Sequence, residues 1–396
     1  MQTLVLRQVW LACWRFIQRQ APRCLAVAAL ASLLPCPSIH AAARNRPAPS
    51  PSPGHPTADA FVNPLLPSGA DPWITWKDGF YYYMNTTQNS LEIWKTRNVP
   101  ELANARHKVV WLPPATGPYS HDIWAPELHF LDGCWYIYFA ADAGSNETHR
   151  IWVVRNCSGD PLQGEWRLKG KVADSTDRWA IDPTVTQNKG RLYLIWSGWP
   201  GAHNGRQNIY IAELSNPWTV SSPRVLLSQP TYPWEQVGDL PSRNRVLQIP
   251  HVDVNEGPEI LKHGKSIFLV YSASGCWTDY YELGMLRASA DSDLLDPSSW
   301  HKYDHPVFWQ SPSAMAYATG HNSFFTSPDG RQDWILYHAN PAPDEGCGDD
   351  RAPRAQPFTW NPDGTPDFGR PVPLSQPLPW PSRGPARAGG NLPGAP

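Results

Sequence analysis

The feature that most constrains this chain is a segment that recurs. ADPWITWKDGFYYYMNTT near Asp71, HDIWAPELHFLDGCWYIYFAA around Asp122 and AIDPTVTQNKGRLYLIWSGW around Asp182 share one plan with NEGPEILKHGKSIFLVYSAS, which contains Glu256, and GHNSFFTSPDGRQDWILYHAN, which contains His321. In each, a polar residue, usually near a proline, precedes a short strand. An Asp-Gly, Lys-Gly or His-Gly pair follows, of the kind that accepts the positive φ of tight hairpins, and then a strongly aromatic strand. The runs LEIWKT, HRIWVV, QNIYIAEL and ELGMLRAS add further strands. Units of this kind, spaced roughly 50–75 residues apart, predict an all-β, five-bladed β-propeller. The first strand of each unit should line the central channel. Its opening residue should then meet its counterparts at one end of the axis.

Composition agrees with strands rather than helices. The 396 residues include 44 Pro, 21 Trp and 15 Tyr, with only 17% charged residues. A net charge of −2 gives no electrostatic footprint for nucleic acid. Residues 1–43 read as a signal peptide: Arg7, Arg15, Arg19 and Arg23 precede CLAVAALASLLPCP, and SIHAAA supplies small residues for cleavage. Residues 44–59 read as a Pro/Ser-rich linker, 60–378 as the propeller and catalytic domain, and 379–396 as a disordered tail. A secreted or periplasmic, monomeric product with no membrane attachment after cleavage is expected. Three of the seven cysteines (Cys13, Cys24, Cys36) fall in the leader. The other four, Cys134, Cys157, Cys276 and Cys347, allow up to two disulfides in an oxidising compartment. Cys276–Cys347 is the favoured pair, because both lie in loops late in their repeats. No cysteine pair has the spacing of a zinc site.

Asp-Pro occurs at Asp71, Asp160, Asp182 and Asp296. At Asp160 and Asp296 it reads as a turn. Asp71 and Asp182 each open the first strand of a unit, and Glu256 holds the equivalent place in the fourth. Capping a turn or strand is the plain reading of any one of them. Three acids at one repeat position point instead to a shared pocket. Such a pocket suits glycoside hydrolysis: one carboxyl protonates the leaving oxygen, one carboxylate activates water or attacks the sugar, and a third raises the acid's pKa by repulsion. Neither a glycine-rich phosphate loop nor a Gly-x-Ser-x-Gly elbow is present.

The motifs ADPWI, DIWAPELHF, AIDPTV, NEGPEIL and GHNSFF together resemble glycoside hydrolase family 43, over roughly residues 60–375. RWAIDPTV, LIWSGWPG and QNIYIAELSNPWTV resemble its α-L-arabinofuranosidase members. The resemblance implies a five-bladed propeller and an inverting, exo-acting enzyme that releases arabinose from plant cell-wall arabinan or arabinoxylan. It implies Asp71 as general base, Asp182 as the residue that orients and tunes the acid, and Glu256 as general acid. Glu259 is a competitor three residues on, where simple alternation turns it to the opposite face. His321 matches a central histidine that helps hold a calcium ion or its waters, against a plain reading as a buried, hydrogen-bonded residue. No cofactor is required for the chemistry. Arg354 resembles an arginine that reaches the sugar, and Trp73, Trp124 and Trp199 are candidate pocket walls or inter-blade packing. β-Xylosidase and endo-arabinanase activities of the same family are the nearest alternatives. A non-catalytic carbohydrate-binding propeller is the alternative of another class.

Overall fold

Two-residue turns with left-handed backbone set the hairpins. Asp78-Gly79, Asp132-Gly133 and Lys189-Gly190 all have positive φ at both positions, the geometry whose twist matches that of the flanking strands. The computed structural model describes residues 60–240 and 251–383. The expected leader and linker, and residues 384–396 of the expected tail, lie outside the described residues.

The chain is a five-bladed β-propeller. Blade one runs through Trp73–Lys77, Phe80–Met84, Leu91–Thr96 and Arg106–Trp111. Blade two is His121–Leu131, Cys134–Asp142, Arg150–Asn156 and Arg167–Val172. In blade three, Ala180–Asn188, Arg191–Gly198 and Arg206–Asn216 are followed by two short outer pieces, Thr219–Val220 and Val225–Ser228. Blade four comprises Asp253–His263, Ser266–Ala273, Glu282–Ser289 and His301–Lys302. Blade five comprises Tyr317–Thr326, Asp333–Asn340, Ala352–Trp360 and Pro366–Asp367. Each blade is an antiparallel meander. Blades three and four are also joined by a short parallel pairing of Arg206 with Asp253 and Gln207 with Val254. The first strands of successive blades touch, and the first strand of blade five touches that of blade one, so the ring closes around its innermost strands.

Alternation along the aromatic second strands glues the blades together. In FYYYM, Tyr81 and Tyr83 pack on Trp334 and Leu336 of blade five, while Tyr82 and Met84 pack on Trp135 and Ile137 of blade two. Tyr136 and Tyr138 of blade two meet Leu194 and Trp196 of blade three. Tyr193 and Ile195 meet Leu269 and Tyr271, and Phe268 and Val270 meet Ile335 and Tyr337. Every inter-blade face is thus an apolar core, and each buried aromatic contributes about 1.5–3 kcal/mol.

The ends of the described chain meet. Ala60–Phe61 pairs with Leu378–Pro379, and the Asn63 side chain donates to the Ala355 carbonyl and accepts its N–H, each at 2.9 Å. The described part of the expected tail is attached to the fold. Pro379 pairs with Ala60, and the Ser382 hydroxyl donates to Asp329 Oδ1 at 2.7 Å. Two disulfides form, Cys134–Cys157 and Cys276–Cys347. No helix among the described residues is long and apolar enough to cross a membrane.

Candidate active site

The backbone turns sharply where each inner strand begins. Asp71, Asp122, Asp182, Gly257 and His321 have φ of 57°, 49°, 53°, 53° and 47°, so every blade has a left-handed residue at this position. Aspartate and histidine are among the side chains that tolerate this region best. In blade four the corner falls on Gly257, just after Glu256. A Cβ there would lie 3.2 Å from the His321 ring, so glycine is needed for both its conformation and its clearance.

These corners bring Asp71, Asp182 and Glu256 to one cavity of about 340 Å³, with Trp124, Trp179, Trp277, His321, Arg351 and the Cys276–Cys347 disulfide among its walls. Asp71 is the most heavily bonded of the acids. The Thr86 hydroxyl donates to its Oδ2 at 2.6 Å, and Arg351 Nη1 donates to its Oδ1 at 3.2 Å. His321 Nδ1 lies 3.2 Å from that same oxygen. The Asp71 backbone N–H donates to His338 Nδ1 at 3.0 Å. Burial pushes the Asp71 carboxyl up, but these surrounding groups outweigh it and hold the group well below the usual carboxylate range. Burial also lowers both imidazoles. Arg351 is the permanent positive charge beside Asp71.

Asp182 is buried, and its Oδ2 accepts the Gly257 N–H at 3.0 Å. Burial raises its carboxyl, and the like charges of Glu256 and Asp71 raise it further. Glu256 is pushed up to about 7 by burial, against a lowering hydrogen bond from the Tyr281 hydroxyl and with Asp71 raising it again. The charge of Glu256 is among the causes that raise Asp182, so the two carboxyls resist ionising together. The site thus sets one carboxyl that is held low, Asp71, beside two that are held high, Asp182 and Glu256.

Three of the expected site residues lie elsewhere. Trp73 is buried between blades one and two, with its Nε1 donating to the Leu128 carbonyl at 3.1 Å. It borders a separate cavity of about 50 Å³ that also contains His129 and Glu259. Trp199 is stacked 4.8 Å behind Trp179, so Trp179 forms the wall and Trp199 backs it. Arg354 is buried and spends its donors on the carbonyls of Ala314, Met315 and Asn340. The arginine that lines the pocket is Arg351, at the mouth of its strand rather than inside it. Trp124 does line the pocket, stacked at 4.0 Å on His149, with its Nε1 donating to Gln88 Oε1 at 2.7 Å.

Glu259 is kept out of the pocket by depth rather than by facing. The pairing is irregular at Gly257-Pro258: Glu256 opposes Ser272 and Glu259 opposes Val270, so the extra residue restores the parity of the two glutamates. Glu259 lies further down the strand, near Glu127, which contacts His129 Nε2 at 2.9 Å.

His321 does not gather a calcium shell here. The carboxylate beside it, Asp71, is bonded to Arg351 at 3.2 Å. Among the described residues no cluster of three or more His, Cys, Asp or Glu has metal-holding geometry. Calcium prefers six to eight oxygen ligands, and the described side chains around His321 do not by themselves supply them.

Residues 61–366 match the family model described as glycosyl hydrolases family 43. The chain is 38% identical over 335 residues to an extracellular exo-alpha-(1->5)-L-arabinofuranosidase of Streptomyces avermitilis, covering 81% of this chain and 66% of that protein. It is 36% identical over 327 residues to alpha-L-arabinofuranosidase 43 of Humicola insolens, covering 79% and 64%. The chain therefore spans about two thirds of the length of these curated relatives. An alpha-L-arabinofuranosidase from Lactobacillus brevis has a crystal structure that superposes with a TM-score of 0.72 at 37% identity, covering 80% of this chain and 98% of that one.

Proposed function

Because the chain belongs to glycosyl hydrolases family 43, we propose that it is an inverting, exo-acting α-L-arabinofuranosidase that removes terminal arabinofuranosyl units from arabinan-type polysaccharide. Asp71 is the general base: it takes a proton from a water that attacks the anomeric carbon. Glu256 is the general acid and protonates the departing glycosidic oxygen from the other side of the sugar. Asp182 orients the acid through its hydrogen bond from the Gly257 N–H, the residue next to Glu256, and its negative charge opposes ionisation of the acid. Trp124, Trp179 and Trp277 give apolar walls against which a sugar face packs. The observation that carries this reading is the convergence of Asp71, Asp182 and Glu256 on one small cavity, with Arg351 and Thr86 bonded to Asp71 so that it is held low, and Glu256 buried so that it is pushed up to about 7. That is the division of labour a glycosidase requires, and the inverting outcome is proposed from membership of the family.

Export is part of the proposal. It is supported by two disulfides and by the extracellular description of the Streptomyces avermitilis relative. Monomeric action is also proposed, since the pocket can be built from one chain. No step runs through a metal ion.

The test is proton NMR of products during digestion of linear and branched arabinan, beside nitrophenyl arabinofuranoside and xyloside. Arabinose should appear first as the anomer of opposite configuration to the substrate. Retained configuration overturns the mechanism. Oligosaccharides as first products favour endo-arabinanase, a faster xyloside rate favours β-xylosidase, and binding without hydrolysis favours a carbohydrate-binding propeller.

A further inference from the structure

The two disulfides do different work. Cys134–Cys157 joins strands already paired within blade two, where Trp135 opposes Asn156. Cys276–Cys347 joins the loop after the second strand of blade four to the loop after the second strand of blade five, across a sequence separation of 71. Both of its cysteines line the catalytic cavity. The loop at 341–350 is largely exposed at Cys347 and beyond. Asp344 N–H donates to Asp279 Oδ1 at 2.9 Å as a second tie between the loops.

Arg351 is fastened to this loop. Its Nη2 donates to the Cys347 carbonyl at 2.9 Å and its Nε to the Gly348 carbonyl at 3.2 Å. That leaves Nη1 to reach Asp71 Oδ1 at 3.2 Å. The guanidinium's planar fork means that two anchored donors fix the direction of the third. On the other side, Trp277 follows Cys276 directly. Its indole lies over Gly275, where a Cβ would come within 2.3 Å of the ring, and its Nε1 donates to the Asp239 carbonyl at 3.0 Å.

We propose that the Cys276–Cys347 disulfide is a positioning brace for the active site, holding Arg351 on Asp71 and Trp277 in the pocket wall, so that its reduction by a thiol lowers turnover while the propeller stays folded. The step is an ordinary exchange. A thiolate attacks one sulfur of the bridge, a second thiol of the reductant resolves the mixed disulfide, and two electrons pass to the protein. The reductant leaves as its own disulfide, and Cys276 and Cys347 take up the two protons. Both cysteines line the cavity and Cys347 is exposed, so a small thiol has a path to the bridge. Once the loop is released, Arg351 loses its fixed aim. Asp71 then loses the cation that favours its ionised form.

The kinetic readout rests on the hydrolase reading, and a second readout does not. The chain with C134S/C157S is treated with dithiothreitol, so that only the bridge at the pocket is reduced. The C276S/C347S variant is compared in parallel. The expected result is a fall in kcat of about ten- to a hundred-fold, the scale of a small misplacement of a catalytic group. The Asp71 carboxyl, followed by carbon NMR and assigned with D71N, should titrate at higher pH. Near-ultraviolet circular dichroism should retain a folded aromatic signature, and C134S/C157S before reduction should match the wild type in both readouts. An unchanged Asp71 titration overturns the brace, as does an equal loss from C134S/C157S alone. If the wild type hydrolyses none of the arabinofuranosides, the hydrolase reading fails, while the Asp71 titration still decides the brace.

Discussion

The hydroxyl of Tyr281 donates to Oε1 of Glu256 at 2.9 Å. The same phenol ring lies parallel to His338, with 5.6 Å between centroids, and His338 accepts the backbone N–H of Asp71. One buried stack therefore touches the acid on one side of the pocket and the base on the other. It also decides which oxygen reacts. With Oε1 engaged by the phenol, Oε2 is the oxygen left to carry a transferable proton.

Removing that phenolic hydroxyl gives a result with an unusual sign. Glu256 must be protonated to act, so wild-type activity should fall as pH rises through about 7. The Tyr281 hydrogen bond favours the carboxylate. Tyr281→Phe should therefore move the basic limb of the kcat/KM profile to higher pH, with a cost in stability of about 1 kcal/mol. A basic limb that stays put or moves down contradicts this role.

Glu256→Gln keeps the shape of the acid and removes its proton. Hydrolysis of linear arabinan, whose leaving group is a poor one, should drop by about 10²- to 10⁴-fold. Nitrophenyl arabinofuranoside should suffer far less, because its leaving group needs little protonation. Parallel initial rates on the two substrates check this; equal losses on both would count against general-acid catalysis at this position.

The two arginines of blade five should fail in opposite ways. Arg354→Ala strips donors from the carbonyls of Ala314, Met315 and Asn340. It should lower stability by about 3 kcal/mol while leaving the kcat of the folded fraction near wild type. Arg351→Ala should melt close to wild type and lose most of its turnover. Thermal unfolding and active-fraction kinetics on both variants separate the cases.

Glu259 tests the channel below the pocket. Burial raises its carboxyl well above the usual 4.5, so the native state keeps a proton that the unfolded chain releases. Stability is then intact below that value and is lost as pH rises from it toward the native pKa. Glu259→Gln removes the titration. It should raise Tm by about 2 °C or more at pH 8 and change it little at pH 4. A gain of equal size at both pH values would show that the effect is packing rather than ionisation.

The repeats made the architecture legible. Turn pairs, aromatic strands and strand-opening acids recur in order, and all three acids meet as their shared position implies. Side chains whose role depends on facing were harder to read. Trp73 and Trp124 both adjoin motif residues, yet one turns between blades and the other into the cavity: Trp73 lies in a regularly paired strand, whereas the pairing on both sides of Trp124 is irregular, which breaks simple alternation there. Trp179 precedes its strand and Trp199 ends the hairpin, so the first meets the sugar space and the second only supports it. Arg351 carried a usable signal: it stands at a strand mouth, just before Ala352–Trp360, as the acids do. Arg354 lies inside that strand, where a charge must be consumed by the backbone. Tyr281 carried no such signal, because its partner lies 25 residues away in another strand.

The five left-handed corners have a consequence for reprogramming this scaffold. They behave like stations on a rotor: the main chain makes the same step at each, and the blade beneath supplies the same mounting. What differs is the chemical head fitted there, an ionised aspartate, one whose carboxyl is held high, a glycine that lets the preceding glutamate lean in, an imidazole, and at Asp122 an acid outside the reaction. Exchanging heads between stations rearranges reactivity without asking the framework to learn a new bend.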